Sequence, residues 1–326
     1  MIEQYQIWLF LAAIAGGIVG LVCGADRFVS GAAVLAFHLK VSPLVIGLTV
    51  VAMGTSFPEL LVTVTASLTG HPDMAVGNVL GSNITNIGLI LGLTALVCPV
   101  KIHSGFLRRE FPFLVFITFA AWGMGLNGSI SRIEGVALCA GLALFVFGTY
   151  YIAKREAQRY RLTLDETSVR VPDLTVQASL FMLVFGLALL LLGSRLLVWG
   201  GVGLAHYFGV DELVIGLTLV ALGTSLPELA TTLAGVIKKE DDIAVGNVIG
   251  SNIFNTLGIL GVPAIIHPLE VATSAIQRDF PVMTGMTLVL LPICKSWRGR
   301  PARVNRWEGT LLVIGYASYI GFLFLK

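Results

Sequence analysis

The sequence predicts an all-α polytopic membrane protein: ten transmembrane helices in two inverted five-helix repeats, with the second and seventh helices interrupted. Three observations carry this. The chain is 56% apolar and only 12% charged, with a mean hydropathy of +0.88, about half the charged fraction of a soluble domain. Apolar runs long enough to cross a bilayer fill nearly all of its 326 residues. A 53-residue segment also recurs further along the chain, at an offset of 169.

The runs lie at about 7–30, 43–68, 74–98, 110–127, 133–153, 175–205, 212–237, 242–267, 279–295 and 306–325, each bounded by Gly, Pro or charge. The first has an acidic flank, Glu3, and no Lys or Arg ahead of it, so it reads as an uncleaved span and not as a signal peptide. The longest polar stretch, 154–174, is too short for a domain and is expected to link a first repeat, 1–153, to a second, 175–326. When alternate loops share a side, one side collects Lys40, Lys101, Arg108, Arg109, Lys154, Arg155, Arg159, Arg161, Arg170, Lys238, Lys239, Lys295, Arg298, Arg300, Arg303 and Arg306. The other collects Arg132, Arg278 and Lys326. The positive-inside rule then puts both termini outside, in the periplasm of a cell inner membrane, and the linker in the cytoplasm.

The net charge of +2 forms no basic face, so nucleic acid is excluded, the lipid bilayer is the expected partner, and no soluble partner is evident. Cys23, Cys98, Cys139 and Cys294 lie far apart without metal-site spacing and read as buried thiols.

Residues 45–97 align without a gap on 214–266, and 29 of the 53 pairs are identical. Gly, Thr, Ser, Pro, Glu and Asn match, as well as Leu and Val, so the similarity reflects duplication and not shared greasiness. Five spans per repeat is an odd number, so equivalent helices enter the membrane from opposite sides. Interrupted helices in inverted repeats place transporter sites near the midplane where the repeats meet.

The interruptions are "GTSFPEL" at 54–60 and "GTSLPEL" at 223–229. Pro58 and Pro227 have no N–H, so the carbonyls of Gly54 and Gly223 lose their helical donors and the helix breaks. Hydrocarbon cannot satisfy freed carbonyls; protein, water or an ion must. The hydroxyls before each proline and the carboxylates of Glu59 and Glu228 after it are hard oxygen donors, suited to calcium or to sodium of similar radius. Two carboxylates balance one calcium ion, and buried glutamates of this kind usually mark a pathway. In "AVGNVLGSNITN" (75–86) and "AVGNVIGSNIFN" (244–255), Gly77 with Gly81 and Gly246 with Gly250 predict close helix approach. That approach brings Ser82, Asn86, Ser251 and Asn255 in as neutral oxygens. Asn78, Asn83, Asn247 and Asn252 read equally as ligands or as interhelical glue. Asp26 and Arg27 read as an interfacial pair. All five histidines fall near span ends, and Asp73, Glu240, Asp241 and Asp242 lie in loops.

Two copies of Gly-Thr-Ser-x-Pro-Glu, each followed by Gly-Asn-x-x-Gly-Ser-Asn-x-x-Asn, resemble the alpha-repeats of the sodium/calcium exchangers within the cation/calcium antiporter superfamily. The chain as a whole resembles their short bacterial inner-membrane members. The resemblance implies four ion positions around the two glutamates and alternating access through sliding of the first and sixth helices. It makes Glu59 and Glu228 shared calcium and sodium ligands, with oxygens from Thr55, Ser56, Thr224 and Ser225. It further implies sodium positions at Ser82 and Ser251, end ligands from the carbonyls of Ala52 and Ala221, and a central position completed by Asn86 and Asn255. Relatives that use potassium carry Asp where this chain has Asn255, which argues against potassium co-transport. The linker holds none of the large calcium-sensing domains of the animal exchangers.

The expected function is sodium/calcium antiport, with no catalytic residue and no cofactor; calcium and sodium are cargo. The close alternative is proton/calcium antiport through the same two glutamates. A channel would also use helix breaks and carboxylates, although inverted repeats favour alternating access. A hydrolase using Ser56 or Ser225 lacks a placed base.

Overall fold

The computed structural model describes residues 2–70, 72–102, 109–161, 174–209, 221–294 and 302–324. It is mostly helical. Five described helices are long and apolar enough to cross a membrane: Gln6–Leu39, Met74–Val97, Arg132–Arg155, Val176–Tyr207 and Asp241–Ile266. Pro43–Thr55 and Phe57–Leu68 together make a further span, bent by 46°. Glu110–Gly125 and Leu226–Ile237 are shorter apolar helices; Phe280–Cys294 and Arg306–Phe324 follow, with the short helical segments Ala221–Thr224 and Ala275–Asp279. Residues 212–220, expected to begin the seventh span, lie outside the described residues, as do 162–173 of the linker.

Two boundaries differ from expectation. The helix Arg132–Arg161 continues through 154–161, the first part of the expected linker, because Lys, Arg, Glu, Ala and Gln there all favour helix. The first helix runs from Ile2 to Leu39, well past residue 30. Gly31 does not end it, because that glycine serves packing.

Gly17, Gly24 and Gly31 recur every seven residues, and Gly186, Gly193 and Gly200 repeat them on the partner helix at the same offset of 169, with Gly17 against Gly193 and Gly24 against Gly186. A Cβ on any of the six would meet a backbone atom of the partner helix at 2.5 to 2.8 Å. The two helices are antiparallel, with Gly17 beside Leu197, Gly24 beside Leu190 and Gly31 beside Leu183. Only glycine allows backbones this close, and close approach is the main route to van der Waals attraction between helices in lipid. Leu21, Ala25, Phe28, Val29, Leu183 and Leu190 form a core with Ile46, Val51 and Ile243. That core is separate from the larger one, which includes Leu80, Ile84, Leu114, Ile117, Ile249, Ile253 and Phe280. The molecule is therefore a two-helix layer laid against a many-helix body.

In that body, Gly246 and Gly250 are the close-approach points expected of them. A Cβ on Gly246 would lie 2.8 Å from Gly47 Cα, and one on Gly250 2.7 Å from the carbonyl oxygen of Leu48, so Pro43–Thr55 crosses Asp241–Phe254 at van der Waals distance. Gly77 and Gly81 have no described atom that near.

Two short antiparallel ladders join loops. Val100–Lys101 pairs with Arg303–Val304, and Ser129–Ile130 pairs with Leu269–Glu270. Each ladder joins loops whose charges sort to the same side. The offset of 169 maps Val100 and Lys101 onto Leu269 and Glu270, so one strand of each ladder is the repeat of a strand in the other.

Of the cysteines, Cys23 is exposed on its apolar helix, and Cys98 and Cys139 are half-buried. The expectation of buried thiols fails for Cys23, which lies on the outer face of the two-helix layer. Asp26 and Arg27 are not a pair. Asp26 Oδ1 lies 2.5 Å from Lys238 Nζ, which also donates to Ser30 Oγ at 3.0 Å. Adjacent residues on a helix point about 100° apart, so Asp26 reaches across to the helix Leu226–Ile237 more readily than to its neighbour.

Candidate cation site

Both interruptions form as the prolines require. Ser56 (φ −81°, ψ 7°) and Ser225 (φ −90°, ψ 3°) leave the helical path, and helix resumes at Phe57 and Leu226. Pro58 and Pro227 then sit in a first turn, where a missing N–H has no consequence. The freed carbonyls are treated differently. That of Gly223 accepts a hydrogen bond from Ser194 Oγ at 2.6 Å, so it is turned toward the two-helix layer and is not left over for an ion. Gly54 packs beneath Phe28 and Leu187, whose side chains a Cβ would meet at 3.2 and 3.3 Å.

The two carboxylates lie inside the protein, with Glu59 and Glu228 each 1% exposed. Each is served by the other half of the chain. Ser56 Oγ donates to Glu228 Oε1 at 3.0 Å, and Ser225 Oγ donates to Glu59 Oε1 at 3.4 Å. Thr55 stands close to Glu228 and Thr224 close to Glu59; Thr55 Oγ1 itself lies 3.3 Å from the carbonyl oxygens of Val51 and Ala52. The glutamates therefore face one another across the junction of the repeats. Among the described residues neither pairs with a Lys, Arg or His.

Behind each carboxylate the main chain is tied down. Thr63 Oγ1 donates to the Glu59 carbonyl at 3.0 Å, and Thr232 Oγ1 to that of Glu228 at 2.7 Å. Asn247 Nδ2 donates to the Glu228 carbonyl at 3.2 Å and to Thr232 Oγ1 at 3.0 Å, while Thr55 Oγ1 donates to Asn247 Oδ1 at 3.0 Å. Asn78 Nδ2 stands 3.5 Å from the Glu59 carbonyl.

Asn86 and Asn255 each open a π-turn, Asn86–Leu91 and Asn255–Ile259, again at the repeat offset. Such turns cluster at functional sites because the extra residue redirects backbone and side chain. Each packs against the glutamate-bearing helix of the opposite half. Ser82 and Ser251 are buried four residues earlier, on the same helix face. Asn86 Nδ2 donates to Asn252 Oδ1 at 2.9 Å, and Asn83 Nδ2 turns away to Thr256 Oγ1 at 2.9 Å and Met283 Sδ at 3.3 Å. Ala52 is fully buried in the turn before the first break, and Ala221 begins the short helix Ala221–Thr224 before the second.

Five buried oxygens of this group have no hydrogen-bond partner: Glu59 Oε2, Glu228 Oε2, Asn86 Oδ1, Asn255 Oδ1 and Ser251 Oγ. Buried polar atoms are nearly always partnered, and unpaired lone pairs beside two uncompensated carboxylates are what a desolvated cation binds. The set contains no thiolate or imidazole, which suits hard cations over transition metals.

Sequence reasoning did not anticipate Ser194 or the clamp at Asn247. Asn247 lies within the duplicated motif and was visible as a candidate. Ser194 was not, because its repeat counterpart is Ala25.

Comparison with known proteins gives the family. The family described as sodium/calcium exchanger protein matches residues 9–151 and 178–325. The inner membrane protein YrbG of Escherichia coli (strain K12) is 41% identical over 321 residues, covering 97% of each chain. The sodium/calcium exchanger MaX1 of Methanosarcina acetivorans is 34% identical, covering 94% of this chain and 96% of its own. A solved structure of the sodium-calcium exchanger NCX_Mj, soaked with zero Na+ and Ca2+, superposes with a TM-score of 0.84 at 32% identity, covering 97% of this chain and 99% of that one. On the family match and the relatives alike, this chain belongs to the sodium/calcium exchanger family.

Proposed function

We propose that the protein is a secondary antiporter that moves sodium against calcium across a bacterial inner membrane, binding both ions between Glu59 and Glu228. The observation that carries this reading is the pair of buried carboxylates with reciprocal hydroxyl partners and no cationic side chain, surrounded by unpaired oxygens. Calcium carries the charge that two carboxylates neutralise. Sodium ions, singly charged, can occupy the same oxygens one at a time, so either cargo satisfies the site and both together overcharge it. Competition of that kind is what antiport requires.

In the same reading the chain has ten spans in two inverted five-helix repeats, 1–153 and 175–326, joined by a cytoplasmic linker, with periplasmic termini. The ladders support it, since each joins loops that the charge sorting assigns to one side. The ion ligands are Glu59, Glu228, Thr55, Thr224, Ser56, Ser225, Ser82, Ser251, Asn86 and Asn255 with the carbonyls of Ala52 and Ala221. Inward and outward states arise as the two halves exchange conformations, and the glycine-zipped helix pair moves as one body.

The test is radioactive calcium uptake into proteoliposomes loaded with sodium and diluted into sodium-free, potassium-free buffer, with and without a proton ionophore. Uptake that needs internal sodium and survives the ionophore is expected. Uptake that ignores sodium and follows an imposed pH gradient would replace sodium with protons as the coupling ion.

A further inference from the structure

Asn247 stands one layer behind the proposed ligands, and its three hydrogen bonds use both of its donor hydrogens and its oxygen. It is 0% exposed. Its two amide hydrogens go to the Glu228 carbonyl and Thr232 Oγ1, and its oxygen takes the proton of Thr55 from the other half of the chain. A threonine hydroxyl has one proton. With that proton given to Asn247, Thr55 Oγ1 offers lone pairs alone to whatever lies on its other side. Without Asn247 the same proton falls to the carbonyl oxygens of Val51 and Ala52, each 3.3 Å from Thr55 Oγ1. Thr55 would then compete with a cation for the Ala52 carbonyl, which is itself one of the proposed ligands.

The other half-site is built more loosely. Asn78, the counterpart of Asn247, is only half-buried, and its contact to the Glu59 carbonyl is 3.5 Å against 3.2 Å for Asn247 to Glu228.

We propose that Asn247 is a positioning residue for cation binding: it fixes the main chain of Glu228 and draws the Thr55 proton away from the Ala52 carbonyl, so that the Glu228 half-site is preorganised and the Glu59 half-site is the one that adjusts. The inference rests on the reading that the two glutamates bind the transported ions. Preorganisation acts on affinity first, because a donor set already in place loses less order on binding.

The experiment measures calcium uptake by the full-length protein in proteoliposomes as a function of calcium and of internal sodium, for Asn247→Ala, Asn78→Ala, Thr55→Val and the double variant Thr55→Val/Asn247→Ala. Asn247→Ala should raise the half-saturating concentration of both ions about tenfold, equivalent to about 1.4 kcal/mol, with the maximal rate changed much less. Asn78→Ala should shift it less. The double variant should be little worse than Asn247→Ala alone, because the two residues act through one hydrogen bond; a purely structural role would give additive losses. Unchanged half-saturation in Asn247→Ala, an equal or larger shift in Asn78→Ala, or additivity in the double variant would each overturn the proposal. If Asn247→Ala does not fold, Asn247→Asp keeps the shape and the acceptor for Thr55 but loses both donors. It should shift half-saturation in the same direction, and wild-type behaviour would overturn the proposal. Glu228→Gln separates the two levels: normal sodium-driven uptake in that variant defeats the ion-site reading itself, whereas loss of uptake there with a silent Asn247→Ala defeats this inference alone.

Discussion

Replacing Ser194 with Ala removes one hydroxyl and tests the account of the broken helix. Pro227 deprives the Gly223 carbonyl of its helical donor, and the Ser194 hydroxyl supplies a substitute at 2.6 Å from a side chain only 7% exposed. Leaving a buried carbonyl unpaired costs about 1–3 kcal/mol in soluble proteins. Interhelical hydrogen bonds in membranes average about 0.6 kcal/mol and reach about 1.7. The bond here is short, and its acceptor has no helical alternative, so the upper part of the membrane range applies, about 1–2 kcal/mol. Thermal unfolding in detergent, followed by tryptophan fluorescence, should show Ser194→Ala unfolding several degrees below wild type, with Ser194→Cys between them as a weaker donor. Because the capped carbonyl lies five residues before Glu228, calcium half-saturation should rise as well. An unfolding midpoint and half-saturation both equal to wild type would show that the Gly223 carbonyl finds another donor and that the cap contributes nothing.

Four further outcomes follow from the structure. Glu59→Gln and Glu228→Gln should each abolish sodium-driven calcium uptake while leaving the protein folded by size-exclusion chromatography, since each removes a charge and keeps the hydrogen-bonding shape. Gly193→Ala places a Cβ 2.7 Å from Leu21 N and should separate the helix pair and sharply lower the unfolding temperature, whereas Gly16→Ala, with nothing within 4 Å, should be neutral or slightly stabilising. Asp26→Asn or Lys238→Gln should cost no more than about 1 kcal/mol in stability, because the pair is partly exposed and screened; loss of the effect in high salt confirms the electrostatic origin, and a salt-independent effect refutes it. Burial and the neighbouring Asp242 and Asp241 raise the Glu240 carboxyl above its usual range, so the folded state holds that proton more tightly than the unfolded one. That contribution is present at acid pH and lost as pH rises through the raised value, so Glu240→Gln should stabilise the protein at pH 7 and not at pH 4, as read from paired unfolding curves.

How far the sequence reached depends on whether a feature is duplicated. The breaks at Ser56 and Ser225, the asparagines that open the π-turns and the facing glutamates all belong to the repeat, and there two copies supported each reading. Helix ends were read less well where one residue type has two uses. Gly31 signals a boundary in sequence, but its missing side chain serves contact with Leu183 on the partner helix. The cross-half direction of the hydroxyls was not legible, because proline-induced breaks fix where a chain turns and not which carboxylate a serine then meets. Asp26 looked like a partner for Arg27 because both are charged in an apolar run; the packing of the first helix on Leu226–Ile237 gave it Lys238 instead.

The positions where the halves differ carry their own consequence. Among the described residues, three polar contacts tie the two-helix layer to the body: Ser194 to the Gly223 carbonyl, and Lys238 to Asp26 and to Ser30. Moved by the repeat offset, the first becomes Ala25 with Gly54, and the other two become Thr69 with Arg195 and with Trp199. None of the substitute pairs can form the same cap or an ion pair. If the two halves exchange conformations during transport, these contacts are lost in the exchanged state, and their counterparts supply neither a carbonyl cap nor an ion pair. A perfectly duplicated chain would populate its two faces equally when empty. This chain is biased toward the arrangement seen here by the worth of one buried hydrogen bond and one screened ion pair, about 1–3 kcal/mol together. That is a population ratio on the order of ten to a hundred, small enough for bound ions and ion gradients to reverse.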